Sequence, residues 1–216
     1  MANSLKIGFL FDLDGVLIDS EYKYSLIWKK INEDFPTGIE NLEDVIKGTT
    51  LPDILSRYYP DEKIRAQVAE RCVYEENNMI YDFCNGAINL LTELKANNYP
   101  IALVTSSDSV KMNHLWQQHP SFKSFFTSII DAEKVTKSKP DPEGYLKAAS
   151  ELGIPAKHCI VFEDSIQGVK AGKAAGAYVI GINGTVDSSL LSLYADDILD
   201  SLENLDINHL IKKVAN

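Results

Sequence analysis

The chain is built around the segment Phe11-Asp12-Leu13-Asp14-Gly15-Val16-Leu17, which follows an apolar run that begins at Ile7. The run predicts a buried strand, and in extended backbone side chains two positions apart point the same way. Asp12 and Asp14 are therefore expected together at the carboxyl end of this strand, where Gly15 lets the chain turn. Two adjacent carboxylates repel unless a proton or a cation offsets them, and Mg²⁺ suits such a pair. The alternative is a plain strand end, with one Asp capping a helix and the other in solvent.

Composition limits the possible functions. The 216 residues are 45% hydrophobic and 24% charged, which is typical of a globular chain with one domain and an insertion, or with two modest domains. The formal net charge of −10 argues against long-range attraction to nucleic acid or to an anionic membrane. An anionic substrate must then be held locally, by a metal and a few lysines.

The cysteines and the N-terminal segment indicate the compartment. Cys72, Cys84 and Cys159 are odd in number and widely spaced, which predicts neither a zinc site nor a disulfide framework. Residues 1–10 lack the pattern of a signal peptide, and no apolar run reaches membrane-spanning length. We expect a soluble, cytoplasmic protein that acts as a monomer.

The pattern of apolar residues predicts two domains. Residues 19–85 have helical spacing throughout, whereas short apolar strands alternate with helices in the rest of the chain. The predicted strands are Ile7–Phe11, Ile101–Val104, Ser128–Ile130, Cys159–Phe162 and Tyr178–Ile182. The expected fold is α/β: a Rossmann-like, doubly wound parallel sheet from 1–18 and 86–216, with an inserted all-α helical bundle at 19–85. Such an insertion is expected to form a cap over the carboxyl ends of the strands, where open α/β sheets bind ligands.

Three further polar segments lie at the ends of predicted elements. Thr105-Ser106 and Glu163-Asp164-Ser165 each follow a strand, and Lys139-Pro140-Asp141 precedes a helix. In a doubly wound sheet these segments converge on one crevice. The Thr105 hydroxyl and the Ser106 backbone N–H can hold phosphate oxygens there, and Lys139 can offset the charge of a transferring group. Taken alone, each segment also has a simpler interpretation, as a helix cap or as a surface lysine.

The acidic residues complete a set that suits metal-assisted phosphoryl transfer. Asp12 can attack phosphorus to form an aspartyl-phosphate. Mg²⁺ held between Asp12, Asp14 and Asp164 would offset the charge between the attacking oxygen and the phosphate. Asp14 can protonate the leaving oxygen and later activate water.

Four ordered motifs resemble those of the haloacid dehalogenase-like superfamily: DLDGVLIDS at 12–20, VTSS at 104–107, SKPDP at 138–142 and FEDSIQGVKAGKAAG at 162–176. The helical insert resembles the cap of the β-phosphoglucomutase-like branch. The resemblance implies that Asp12 is the nucleophile and that Asp14 is the general acid and base and binds the metal through its carbonyl. It also implies that Thr105, Ser106 and Lys139 hold the phosphate, and that Asp164, with Glu163 beside it, forms an acidic metal site.

The resemblance leaves two reactions open, hydrolysis of a phosphate ester and a phosphosugar mutase reaction. Where the mutases have a phosphate-binding arginine in the cap, a hinge histidine and a lysine after the second motif, this chain has Leu51, Tyr24 and Asp108. These departures favour a phosphatase that acts on a small phosphorylated metabolite, such as a sugar or polyol phosphate. Lys47 matches a cap lysine and is a candidate substrate contact.

Two non-enzymatic classes of protein share part of this pattern. Receiver domains of response regulators also form an aspartyl-phosphate beside a Thr or Ser and a Lys, but their acidic pair comes first in the chain, whereas here Glu163-Asp164 follows Lys139. A degenerate binding protein would lack competent catalytic residues, whereas every expected position here is filled. The sequence therefore predicts a Mg²⁺-dependent phosphatase.

Overall fold

The computed structural model describes residues 6–46, 49 and 51–215, and the chain divides into two compact units. One unit joins the segment that ends at Asp19 to the segment that begins at Tyr81, and the other is Ser20–Ile80. Within the described residues, no helix has both the length and the apolar composition needed to cross a bilayer.

The first unit is built on a parallel sheet, which has six strands among the described residues. The strands are β1 (Gly8–Phe11), β2 (Ile101–Val104), β3 (Ser128–Ile130), β4 (Cys159–Glu163), β5 (Tyr178–Ile182) and β6 (Asp197–Leu199). Their order is β3-β2-β1-β4-β5-β6, and every neighbouring pair is parallel. Strands β2 and β3 thus lie on one side of β1, and β4, β5 and β6 lie on the other. The direction of strand order changes at β1, which is therefore the topological switch point.

The register of the central strands aligns their carboxyl ends. Phe11 lies opposite Leu103 of β2 and Phe162 of β4. Strands β1, β2 and β4 are buried along their whole length, as expected of parallel strands covered on both faces. The residues that follow these aligned positions, Asp12 and Glu163 among them, therefore emerge side by side.

Helices cover the sheet, and the longer ones in this unit are α5 (Ala87–Ala96), α6 (Ser109–Gln118), α7 (Glu143–Leu152), α8 (Ile166–Ala174) and α10 (Ile207–Ala215), with the short α9 at Ser188–Leu191. Helix α8 approaches the sheet closely, because a Cβ added at Gly172 would lie 2.8 Å from a methyl carbon of Val179. The chain leaves α8 through Gly176 at φ +83°, a left-handed conformation that favours glycine.

The second unit is helical. It contains α1 (Ser20–Asp34), α2 (Leu42–Val45), α3 (Leu51–Tyr58) and α4 (Glu62–Asn77). Its own apolar core includes Trp28, Ile31, Leu42 and Val68. Helix α4 starts at a side-chain cap, since Asp61 Oδ1 accepts hydrogen bonds from the N–H groups of residues 63 and 64.

The predicted fold class, a parallel α/β core interrupted by a helical segment, is confirmed, but two details differ. Residues 81–85 belong to the sheet unit although the sequence predicted helix to residue 85, because Asp82 and Cys84 form backbone hydrogen bonds with Asp19 and Leu17. The edge strand β6 and the helices α9 and α10 were not predicted. Strand β6 has three residues, all only half-buried, so it lacks the apolar run that marks a central strand.

Candidate active site

Asp12 directly follows β1 and is buried. Its Oδ1 accepts a hydrogen bond from Lys139 Nζ at 2.5 Å, and its backbone N–H donates to the carbonyl of Phe162 at 3.0 Å. Burial, together with the negative charges of Glu163 and Asp14, raises the pKa of the Asp12 carboxyl to about 7, although Lys139 opposes the rise. Further positive charge beside Asp12 would keep this carboxylate ionised at neutral pH.

Lys139 lies between two carboxylates. Its Nζ is 2.5 Å from Asp12 Oδ1, 2.5 Å from Glu163 Oε1 and 3.2 Å from the carbonyl oxygen of Val104. Burial by itself would lower the pKa of the Lys139 ammonium, but the two carboxylates outweigh burial and raise it. The three donors of this ammonium thus have three acceptors.

The loop before α7 carries Lys139 to this position. Helix α7 begins at Glu143, directly after Pro142. Asp141 closes the loop, because its Oδ1 accepts from the Glu143 N–H at 3.0 Å. The carboxylate of Glu143 in turn accepts from the backbone N–H groups of Thr136 and Lys137, each at 2.9 Å.

Glu163 ends β4, and its side chain is fully buried. Its Oε1 accepts from Lys139 and, at 2.7 Å, from the hydroxyl of Tyr145. Its Oε2 accepts from the Ser165 hydroxyl at 3.0 Å and from the Ser165 N–H at 3.3 Å. The carboxylate lies against α8 where Gly168 leaves room, since a Cβ there would be 1.8 Å from Oε1. Both oxygens of this buried charge are therefore satisfied.

Asp164 is also buried, and its Oδ2 accepts a hydrogen bond from Thr185 Oγ1. Burial and the nearby charges of Asp12 and Glu163 raise the pKa of the Asp164 carboxyl well above its usual value. Gly15 permits its approach to the first loop, because a Cβ at Gly15 would lie 1.9 Å from Asp164 Oδ2. Gly15 also has φ +70°, so the turn and the close approach both require glycine.

Asp12, Glu163 and Asp164 form a buried acidic cluster, in which one carboxylate oxygen from each residue lies within 4.8 Å of the other two. When all three carboxyls are ionised, the ammonium of Lys139 offsets one of their charges and leaves an excess of two negative charges. Oxygen donors with this excess suit a hard divalent cation, and Mg²⁺ prefers such donors. The hydrogen bonds of Glu163 differ from those of the two aspartates, because both of its oxygens already have protein donors.

Asp14 has a separate set of partners. Its Oδ1 is 2.5 Å from Lys111 Nζ, and its Oδ2 accepts from the Ser107 hydroxyl at 2.9 Å. Lys111 lies in the first turn of α6, which Asp108 caps by accepting from the Lys111 N–H at 2.9 Å. The cap therefore fixes the backbone of the residue whose ammonium binds Asp14.

Thr105 and Ser106 follow β2. The Thr105 N–H donates to the carbonyl of Ile130 at 2.8 Å, and its buried hydroxyl oxygen accepts from the Ser107 N–H at 3.0 Å. Thr105 and Ser106 line a small cavity of about 90 Å³ together with Lys139. The structure thus places the two predicted phosphate-binding residues beside the predicted lysine.

The sequence assigned no catalytic or binding role to five side chains of the site: Ser107, Lys111, Tyr145, Ser165 and Thr185. Ser107 and Ser165 lie inside the second and fourth family motifs, so the motifs themselves indicated that these serines are near the site. Lys111 is one helical turn beyond its motif, and Thr185 follows β5, the strand next to β4. The predicted cap residue Lys47 lies outside the described residues.

Comparison with known proteins identifies the family. Residues 9–182 match the haloacid dehalogenase-like hydrolase family, which is most of the chain. The chain belongs to this family. Solved members include a family IA, variant 3 hydrolase from Entamoeba histolytica, 28% identical with TM-score 0.78, covering 97% of this chain and all of that one. A β-phosphoglucomutase from Clostridium difficile is 26% identical with TM-score 0.71, covering 98% of each chain.

Several curated relatives are named as phosphatases. Hexitol phosphatase A of Escherichia coli is 32% identical and covers 93% of each chain. Glycerol-1-phosphate phosphohydrolase 2 of Saccharomyces cerevisiae is 31% identical over 91% of this chain and 82% of its own. A bifunctional riboflavin kinase/FMN phosphatase of Arabidopsis thaliana is 31% identical, but this chain spans 56% of its length. These findings confirm the predicted family and the predicted class of enzyme, a phosphoric monoester hydrolase.

Proposed function

We propose that this protein is a Mg²⁺-dependent phosphatase that hydrolyses a sugar or polyol monophosphate through an aspartyl-phosphate on Asp12. The observation that supports this most directly is the Lys139 ammonium, which bonds Asp12 and Glu163 at 2.5 Å each beside the buried Asp164. This arrangement combines a nucleophile, a fixed positive charge and a set of metal ligands. The names of hexitol phosphatase A and glycerol-1-phosphate phosphohydrolase 2 support the substrate class.

Asp12 and Asp164 would hold the metal through their carboxylates, and Asp14 through its backbone carbonyl. Once bound, the ion supplies positive charge that offsets the repulsion between Asp12 and the phosphate. Glu163 would contribute mainly through Lys139, because its oxygens accept from Lys139, Tyr145 and Ser165.

The reaction has two steps. In the first, Asp12 Oδ attacks phosphorus, the phosphorus–oxygen bond of the ester breaks, and Asp14 gives its proton to the leaving alcohol. In the second, Asp14 takes a proton from water, the water oxygen attacks phosphorus, and the bond to Asp12 breaks to release phosphate. Lys139, the Thr105 hydroxyl and the Ser106 N–H hold the phosphate oxygens through both steps.

The test is phosphate release in the presence of Mg²⁺ from hexitol 6-phosphates, glycerol 1-phosphate, FMN, pseudouridine 5′-phosphate and a hexose 6-phosphate. Asp12→Asn serves as the control for contaminating activity. Hydrolysis of the polyol or sugar phosphates at the highest kcat/KM is expected. A preference for FMN or pseudouridine 5′-phosphate would contradict the substrate class but retain the mechanism.

The same assay distinguishes the mutase alternative. β-Glucose 1-phosphate is added with Mg²⁺, and both phosphate and glucose 6-phosphate are followed. Leu51 and Tyr24 stand where the mutases have charged or titratable side chains, so we expect release of phosphate without isomerisation. Glucose 6-phosphate formed without net release of phosphate would show a mutase. Molar mass in solution, measured by light scattering, tests the expectation of a monomer.

A further inference from the structure

Tyr145 is an aromatic side chain of α7 and belongs to the apolar core of the sheet unit. It is 1% exposed, and its ring packs in a cluster that includes Val104 and Ile130. Its hydroxyl reaches out of that apolar cluster and donates to Glu163 Oε1 at 2.7 Å. A buried phenol hydroxyl normally has such a partner, but here the partner is the carboxylate that also binds Lys139.

The same oxygen atom connects Tyr145 to Lys139. Glu163 Oε1 accepts from the Tyr145 hydroxyl and from Lys139 Nζ, which is 2.5 Å away. Lys139 Nζ also lies 5.2 Å from the centre of the Tyr145 ring, within the range of a cation–π contact. One side chain thus contacts the ammonium through its ring and, through its hydroxyl, the carboxylate that pairs with that ammonium.

Lysine has a flexible four-carbon side chain, so its ammonium points at Asp12 only if other groups hold it there. Glu163 does this from one side, and its own orientation depends on its donors. Ser165 fixes Oε2, whereas the Tyr145 hydroxyl is the second donor to Oε1, the oxygen that faces Lys139. Loss of that hydroxyl leaves Lys139 as the sole remaining donor to Oε1 among the hydrogen bonds of the described residues.

We propose that Tyr145 is a positioning residue for phosphoryl transfer: its hydroxyl orients Glu163, and Glu163 and the Tyr145 ring hold the Lys139 ammonium beside Asp12. This inference rests on the proposed function, because it assigns to Lys139 the stabilisation of the transferring phosphoryl group. Tyr145 itself does not touch the reacting atoms. Its contribution is the direction in which Lys139 points when the phosphate arrives.

The test compares Tyr145→Phe with the wild type and with Tyr178→Phe. Tyr145→Phe keeps the ring and removes only the hydroxyl. Tyr178→Phe removes a hydroxyl that also donates to a carboxylate at 2.7 Å, but that carboxylate is Asp197 at the edge strand β6. With Mg²⁺ and p-nitrophenyl phosphate we expect Tyr145→Phe to lower kcat about 10- to 100-fold, as losses of outer-shell partners do, with KM changed less than about twofold. Tyr178→Phe is expected to leave kcat unchanged.

A binding measurement separates positioning from a general effect on folding. Orthovanadate with Mg²⁺ resembles the phosphoryl-transfer transition state, and we expect calorimetry to show its affinity reduced in Tyr145→Phe by the same factor as kcat. Inorganic phosphate, which resembles the product, should lose less affinity. In the Lys139→Met background, Tyr145→Phe should not weaken vanadate binding further, because the ammonium it orients is gone.

The outcomes are distinct. If the wild type does not hydrolyse p-nitrophenyl phosphate or any substrate of the panel, the proposed function is wrong and the inference falls with it. If the wild type is active and Tyr145→Phe matches Tyr178→Phe in kcat and in vanadate affinity, Tyr145 is structural only and the inference alone is overturned. An equal loss of vanadate and phosphate affinity in Tyr145→Phe would also overturn the inference about Tyr145. The comparison of Tyr145→Phe with the wild type and Tyr178→Phe is sufficient for this test even if Lys139→Met does not fold.

Discussion

The two aspartates of the first motif are two residues apart but lie in different environments. The Asp12 side consists of Asp12, Lys139 and Glu163, and the Asp14 side of Asp14, Ser107 and Lys111. On the Asp12 side the carboxylate of Glu163 is fully buried and the side chain of Lys139 is 14% exposed. On the Asp14 side the carboxylate is 28% exposed, and it accepts from the neutral Ser107 hydroxyl as well as from Lys111.

This difference suits the two tasks that we propose for these aspartates. A nucleophile must stay in one place, and buried charges with several partners hold Asp12 there. A general acid and base must exchange protons with the leaving group and with water, and Asp14 has greater access to solvent. Each aspartate has its own lysine at 2.5 Å, so substitutions can test the two sides separately.

The largest expected effect is the loss of Asp12, the proposed nucleophile. Asp12→Asn removes the oxygen that attacks phosphorus, and we expect kcat to fall by about 10⁴-fold or more, in the range measured when catalytic nucleophiles are removed. Phosphate release with Mg²⁺ measures this. The folded state should be retained, because the substitution removes one of three buried negative charges. Activity within tenfold of the wild type would show that Asp12 is not the nucleophile.

The next comparison is between the two lysines. Lys139→Met leaves two buried carboxylates without their ammonium, and removal of one partner from a buried pair typically costs about 3–5 kcal/mol. Lys111→Met is the matched control, since it removes an ammonium from the more exposed Asp14, and we expect a loss of about 1 kcal/mol. Urea unfolding without metal measures both. Equal losses would mean that burial does not distinguish the two sides.

The positions of Asp12, Thr105 and Glu163 were predictable because the end of a strand can be recognised from the residues next to it in the sequence. The apolar runs before Asp12, Thr105 and Glu163 mark three strands, and parallel pairing brings their ends to one edge. Backbone direction alone then places these residues near one another. No knowledge of side-chain contacts was needed for that step.

Lys111 and Tyr145, whose side chains contact Asp14 and Glu163, were not predictable in this way. Lys111 and Tyr145 lie inside helices, where a charged or aromatic residue is ordinary. Their roles depend on how α6 and α7 pack against the sheet, because that packing brings Lys111 Nζ to Asp14 and the Tyr145 hydroxyl to Glu163. One sequence contains no local signal for contacts across 97 and 18 positions.

A smaller and more specific effect is expected for Asp14. Asp14→Asn removes general acid and base catalysis, so we expect kcat/KM for a polyol phosphate to fall about 10²-fold. For p-nitrophenyl phosphate, whose leaving group needs no proton, the loss of kcat/KM should be at least tenfold smaller. Asp12→Asn is the control, because it should affect both substrates alike. An equal loss for both substrates in Asp14→Asn would place Asp14 outside proton transfer.

The smallest effect is the stabilisation by the metal, which should depend on Asp12 and Asp164. At tenfold its Kd, Mg²⁺ adds about 1.4 kcal/mol to the free energy of unfolding, which raises Tm by about 3–6 °C. Asp164→Asn should abolish this rise in Tm, whereas Lys111→Met should retain it.

The rise should also depend on pH. The pKa of Asp12 increases from 3.8 to about 7 on folding, so without metal the folded state keeps a proton that the unfolded chain has released. The contribution of Asp12 to the stability of the metal-free protein therefore falls as pH rises from about 4 to about 7. Mg²⁺ binds the ionised form and offsets this loss, so the rise in Tm should be larger at pH 7.5 than at pH 5. Thermal unfolding with Mg²⁺ and with EDTA at both values measures the difference, which should be reduced in Asp12→Asn. A rise that is equal at both pH values would mean that Asp12 does not bind the ion.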